Sequence, residues 1–206
     1  MNVANIFPIP VGMFEYGKPS DKELEAIKSF EMVDNASNTS SVNQNVINDE
    51  RLAGLKDFIE ASLKAYLAET LSPTPEMAHY LTNSWVNITN VGQHHQLHSH
   101  MNSVVSGTYY VDVENDKDAL TFTRDDANNY FMSDIMVPDI TMGTPYNCKE
   151  WYIPVQTGQL LLFPSSIEHK VCPREDRTKD RISLSFNTFV KGLVSKGGGG
   201  TPRIYI

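Results

Sequence analysis

Basic residues are in short supply. Seventeen Lys and Arg stand against 25 Asp and Glu, a formal net charge of -8. That deficit argues against a sequence-independent grip on nucleic acid, which needs a basic surface to displace counterions. It leaves room for a local basic pocket that takes a small anion. Cysteine is nearly absent, with only Cys148 and Cys172. Two cysteines do not build a disulfide scaffold, and a pair of free thiols in a reducing cytoplasm is the expected state. No apolar run approaches the ~18 residues of a membrane span, so no membrane partner is expected. The opening MNVANIFPIPVGMF has no Lys or Arg before Lys18, and Pro8 and Pro10 interrupt any helical apolar core, so it does not read as a signal peptide. No internal repeat is visible.

What is present fits one globular unit. The chain has 206 residues, 40% of them hydrophobic, with nine Tyr and nine Phe. That is enough for a double-sheet barrel with covering helices. A single domain over 1–206 is expected, with an extended segment and helices over about 1–80, a β core over about 81–191 and a flexible tail over 192–206. Ile6 to Phe14 alternates apolar residues with prolines and reads as an extended edge. Ser20 and Glu23 have capping-box spacing ahead of Leu24 and Ile27. Residues 35–48, rich in Asn, Ser and Thr, read as a loop. A helix follows from Asn48 or Asp49, because Leu52, Leu55, Ile59, Leu63, Tyr66 and Leu67 recur at three and four; Ser72, Pro73 and Pro75 end it. From Ser84 the period becomes two, predicting strands over 85–89, 104–113, 119–123, 159–163 and 181–190. Residues 124–150 form a long polar insertion, read as a substrate lid carrying Tyr130, Phe131 and Tyr146, with Trp151 just beyond. Gly197 to Gly200 reads as a tether. Helices followed by many short strands predict a mainly β fold with an N-terminal helical layer.

Four of the six histidines fall within seven residues, His94, His95, His98 and His100. Residues two apart on an extended chain share a face, so His98 and His100 can present two imidazoles to one point. An open first-row metal site needs a third protein ligand. His169, delivered by the strand ending at Phe163 and the turn Pro164–Ser166, is the candidate. His94, His95 and His79 are expected not to ligate. His95 lies three residues from His98, which is the wrong parity on a regular strand.

A second constellation is RISLSFNTF. Arg181, Ser183, Ser185 and Asn187 share one strand face, with Ile182, Leu184, Phe186 and Thr188 on the other. Small polar side chains beside one guanidinium leave space for a carboxylate, which Arg receives as a planar fork with a neighbouring hydroxyl assisting. Parity with Ser106 and Thr108 adds Tyr110 to this group; a turn near Asn102 would reverse the parity and put Tyr109 there instead. The segment CPREDRTKD reads as an exposed hairpin turn that makes the His169 and Arg181 strands neighbours.

These residues resemble the 2-oxoglutarate and Fe(II)-dependent oxygenases, and within them a family from bacteria and phages distantly similar to prolyl hydroxylases. The resemblance lies in Trp85–Asn87, His98-Ser-His100, Ser106–Tyr110, Gly158–Pro164, His169 and Arg181–Asn187. It implies a jelly-roll-like double-stranded β-helix, with Fe(II) at His98, His100 and His169. It also implies 2-oxoglutarate at Arg181 and Ser183, joined by Tyr110 on the parity reading, and hydroxylation of a protein or small-molecule substrate with release of succinate and CO2. One position departs from the pattern: most of the superfamily has Asp or Glu where this chain has His100. Either three imidazoles hold the metal, or His100 is not a ligand and water or another carboxylate fills its place. Two rivals share the barrel. One is a cupin-type metalloenzyme that does not use 2-oxoglutarate; the other is a non-catalytic barrel that binds a ligand or partner.

Overall fold

The computed structural model describes residues 1–124 and 139–206. Two helices lead the chain. The first, α1 (Asp21–Ser29), begins at the expected capping box: Glu23 N donates to Ser20 Oγ at 3.4 Å and Ser20 N to Glu23 Oε2 at 2.8 Å. The second, α2 (Ala53–Thr70), follows a 3-10 turn over Glu50–Leu52, started by the Asp49 side chain accepting from Arg51 N. Its predicted stripe, from Leu52 to Leu67, is buried throughout.

Twelve strands are seen among the described residues: β1 (Gly12–Glu15), β2 (Met32–Asp34), β3 (Thr39–Ser41), β4 (Met77–Thr89), β5 (His95–His98), β6 (Val105–Asp112), β7 (Ala119–Thr123), β8 (Glu150–Pro154), β9 (Gln159–Pro164), β10 (Glu168–Val171), β11 (Arg181–Gly198) and β12 (Thr201–Tyr205). They form two antiparallel sheets, one ordered β1-β9-β6-β11-β4-β3-β2 and the other β5-β10-β7-β8. This is the double-stranded β-helix the resemblance implies.

Alternation along the larger sheet sorts its side chains into two cores. Tyr109, Leu160, Leu162, Leu184 and Phe186 point outward and pack with Leu55, Ile59 and Leu63 of α2. Tyr110, Leu161 and Phe163 point inward and meet Leu120 and Phe122 of the smaller sheet. The close approach of β6, β9 and β11 depends on Gly107, where a Cβ would stand 2.3 Å from Phe186 and 2.7 Å from Leu162.

Three expectations need correction. Residues 35–48 are not simply a loop: β3 pairs with the far end of β4, Thr39 opposite Ile88 and Ser40 opposite Asn87, and a 3-10 turn covers Val46–Asn48. The expected tail over 192–206 is a hairpin, because β11 runs on to Gly198 and pairs with β12. The CPREDRTKD segment does not make a hairpin. It crosses from β10 in the smaller sheet to β11 in the larger one, and its Arg177 is buried. His169 and Arg181 therefore face each other across the barrel rather than lying on neighbouring strands. Much of the insertion expected as a lid, with Tyr130 and Phe131, falls outside the described residues.

Candidate metal and co-substrate site

Antiparallel pairing of β5 with β10 sets His98 directly opposite His169, with ring centroids 4.4 Å apart. His100 lies two residues beyond the end of β5, so strand alternation does not aim it. Its backbone N–H donates to Ser165 O at 2.9 Å, and its ring centroid lies 5.0 Å from His98 and 5.1 Å from His169. One potential ligand atom from each of the three lies within 4.8 Å of the others. The Trp85 ring, 5.8 Å from His100, walls one side.

Two of the imidazoles are oriented from behind. His98 Nδ1 sits 2.7 Å from Gln96 O and His169 Nδ1 3.1 Å from Ile167 O. A carbonyl oxygen only accepts, so Nδ1 carries the proton in each ring and Nε2 keeps a free lone pair. This is the usual backing for a metal-ligating histidine. Burial pushes His100 down to about 4 and His169 to about 3, with neighbouring His98 adding to both. Both are neutral and ready to ligate at neutral pH.

The other histidines lie outside this group. His95 does line the same cavity, against the parity expectation, because the β5–β10 register shifts between His169 and Val171. Its Nε2 is engaged elsewhere, 2.8 Å from Thr89 Oγ1 and 3.3 Å from Asn38 Nδ2. His94 N donates to Ser37 O at 3.2 Å, and His79 lies opposite Val190 on the distant half of β4.

Across the cavity, Arg181 is 1% exposed and its guanidinium carbon lies 5.1 Å from the Tyr110 ring centre. Ser183 pairs with Tyr110 in register on β6. Tyr109 points the other way and donates to Gly17 O at 2.8 Å, so the parity reading holds. Arg181 Nε, Ser183 Oγ and the Tyr110 hydroxyl are all buried without a hydrogen-bond partner. Such groups are costly to leave unmet, and of the three residues Arg181 and Ser183 open onto the cavity. Tyr110 lies behind the wall rather than in it. Burial, opposed by the charge of Arg181, pushes its phenol up to about 12, so it stays a protonated donor.

A single cavity of about 410 Å3 is lined by the three histidines, Arg181 and Ser183, with Trp85, Asn87, Thr108 and Ser185 among the other walls. A metal-ligand set and an anion-binding group therefore open onto one space. Sequence reasoning missed the residues behind Arg181. Asp118 Oδ1 lies 3.2 Å from Arg177 Nη1 and 3.8 Å from Arg181 Nε, and all three side chains are at most 2% exposed. No spacing rule links Asp118, in the connection between β6 and β7, to Arg177, in the connection between β10 and β11, or to Arg181 at the start of β11.

Residues 83–187 match the family described as "Putative 2OG-Fe(II) oxygenase". The chain belongs to this family. It is an oxygenase, and its cofactors are Fe(II) and 2-oxoglutarate. No curated protein sequence matches it. Among solved structures, it is similar to the non-haem α-ketoglutarate-dependent epimerase SnoN from nogalamycin biosynthesis, with a TM-score of 0.61 at 12% identity, covering 95% of this chain and 89% of that one. HygX from Streptomyces hygroscopicus, solved with nickel, 2-oxoglutarate and hygromycin B, gives 0.55 at 11% identity, covering 87% and 82%. A prolyl hydroxylase from Trichoplax adhaerens, in complex with a hypoxia inducible factor peptide, gives 0.53 at 11% identity, covering 87% and 83%. At these identities the likeness establishes the shared fold. Among the described residues no helix is long and apolar enough to cross a membrane.

Proposed function

We propose that this oxygenase hydroxylates a protein or small-molecule substrate, with His98, His100 and His169 holding Fe(II), Arg181 and Ser183 holding the distal carboxylate of 2-oxoglutarate, and Tyr110 backing Arg181 from behind the wall. The observation that carries this reading is the shared cavity, with three converging imidazoles on one wall and a buried guanidinium among unpaired donors on the other. On the cupin-type alternative, those unpaired donors around Arg181 have no ligand to meet.

When bound, the iron and 2-oxoglutarate supply the oxidising chemistry, in which O2 is consumed, 2-oxoglutarate becomes succinate and CO2, and one oxygen atom enters a substrate C–H bond. The chain's own residues bind and orient. Gln96 O and Ile167 O fix two ligand tautomers. Arg181 offers a fork matched to a carboxylate, Ser183 Oγ is a further donor, and the Tyr110 ring packs against the Arg181 guanidinium from behind. Burial of these groups excludes competing water. We also propose that residues 1–206 act as one oxygenase unit, with α1 and α2 bracing the outer face of the larger sheet.

The test is calorimetric titration of 2-oxoglutarate into Co(II)-loaded protein, wild type against Arg181→Ala. Truncation leaves a dicarboxylate without its buried counter-charge, a loss of about 3–5 kcal/mol, or some hundred-fold or more in affinity. Equal affinity in the two proteins would remove Arg181 from the co-substrate site.

A further inference from the structure

The charged groups behind Arg181 form a closed set. Asp118 Oδ1 is 3.2 Å from Arg177 Nη1 and 3.8 Å from Arg181 Nε, and Asp118 Oδ2 accepts from Glu114 N at 2.9 Å. Arg177 Nη2 donates to Asn90 O at 2.9 Å and reaches Gln93 O at 3.4 Å. Neither Asp118 nor Arg177 lines the cavity, so neither would touch a ligand there.

Two guanidinium groups against one carboxylate leave a net single positive charge, buried and uncompensated within the set. Were Arg177 absent, Asp118 would face Arg181 alone and cancel its charge, leaving little to attract an anion. With Arg177 present, the short hydrogen-bonded pair is Arg177–Asp118, and Arg181 is held only at ion-pair distance with its Nε unpaired. Arg177 thus occupies the carboxylate that would otherwise neutralise the ligand-binding arginine.

We propose that Arg177 and Asp118 are positioning residues that set the free charge of Arg181, and hence the strength with which the site holds the distal carboxylate of 2-oxoglutarate. The inference rests on the assignment of Arg181 made above. Asp118 stands at ion-pair distance from the guanidinium without a hydrogen bond to its Nε, and Arg177 keeps the charge of Arg181 available.

A charge cycle tests this, read as 2-oxoglutarate affinity of Co(II)-loaded protein by calorimetry, with Co(II) affinity measured in parallel to show that the histidine site is intact. Arg177→Gln takes the net charge of the set to zero, and the 2-oxoglutarate affinity is predicted to fall on the order of tenfold, the scale of one unit charge lost nearby in a protein-like dielectric. Adding Asp118→Asn to that variant restores the single positive charge, and the affinity is predicted to recover most of that loss. A role confined to bracing predicts the opposite, because the double variant removes more of the brace. Asp118→Asn alone, nearly isosteric, raises the net charge and is predicted to bind at least as tightly as wild type.

Unchanged affinity in Arg177→Gln, no recovery in the double variant, or weaker binding in Asp118→Asn would each overturn the proposal. If Arg177→Gln does not fold, the double variant and Asp118→Asn still decide. Failure of the underlying reading has a different signature: Arg181→Ala would then bind 2-oxoglutarate as wild type does, whatever the cycle showed.

Discussion

At the scale of single residues, the proposed site is a set of groups with unused ligand atoms or unpaired donors. His98 and His169 are each held by one ring nitrogen and free at the other, while Arg181, Ser183 and Tyr110 are buried with donors unmet. His98→Ala or His169→Ala is expected to abolish Co(II) binding in a metal titration. His100→Asp is expected to retain it, since an oxygen ligand replaces a nitrogen one; comparable binding by all three variants would displace the assignment. Proton linkage gives a second expectation. Burial holds His95 and His169 at about 3 and His100 at about 4 in the folded metal-free protein, against about 6.5 unfolded. The unfolded chain therefore takes up more protons than the folded one below about pH 6.5, so stability falls as the pH drops from there towards 4. Urea unfolding of metal-free protein at stepped pH should show it, and a flat profile over that window would contradict the burial of these rings. These residues were legible because His-x-His plus a distant His, and an alternating polar strand around one Arg, are patterns with few structural uses. Asp118 and Arg177 were not, because their partnership exists only after two connections distant in sequence converge.

At the scale of elements, the parts with strong apolar periodicity read correctly. The α2 stripe, the Ser20 cap, the central strands and the inward direction of Tyr110 all follow from spacing. The parts without it did not. β5 is the polar segment HQLH, and β10 is EHKV; each is short, and of the two only β10 adds a residue, Val171, to a hydrophobic core. Their strand character comes from pairing with each other and with β7, which no local pattern announces. The crossing from β10 to β11 was misread as a hairpin for a related reason. Two strands joined by a charged turn look alike in sequence whether they pair or lie in opposite sheets. Gly107→Val would place a side chain into Phe186 and Leu162, costing about 1–3 kcal/mol or more by overpacking the site's supporting sheet. Ser20→Ala, which removes a cap far from the cavity, should cost about 1 kcal/mol and leave 2-oxoglutarate affinity unchanged. Thermal unfolding and calorimetry on both variants separate loss of fold from loss of site.

At the scale of the whole molecule, two twisted sheets face each other, and each brings half of the chemistry. The smaller sheet presents His98 and His169 on β5 and β10; the larger presents Arg181 and Ser183 on β11. The helices take no part in the cavity wall and instead bury the outer face of the larger sheet. This division makes the proposed anion site compatible with an acidic protein: the overall charge is -8, while the buried set of Arg177, Asp118 and Arg181 carries one net positive charge. The central claim is that metal and 2-oxoglutarate meet in this one cavity. Its most direct test is an anaerobic titration of 2-oxoglutarate into Fe(II)-loaded protein, followed by the visible charge-transfer absorption that appears when a 2-oxoacid chelates Fe(II). Wild type is predicted to develop the band and saturate. Arg181→Ala should need some hundred-fold more 2-oxoglutarate, and His169→Ala should show no band. A wild-type protein that binds iron yet develops no band, or an Arg181→Ala protein that saturates as wild type does, would contradict the account.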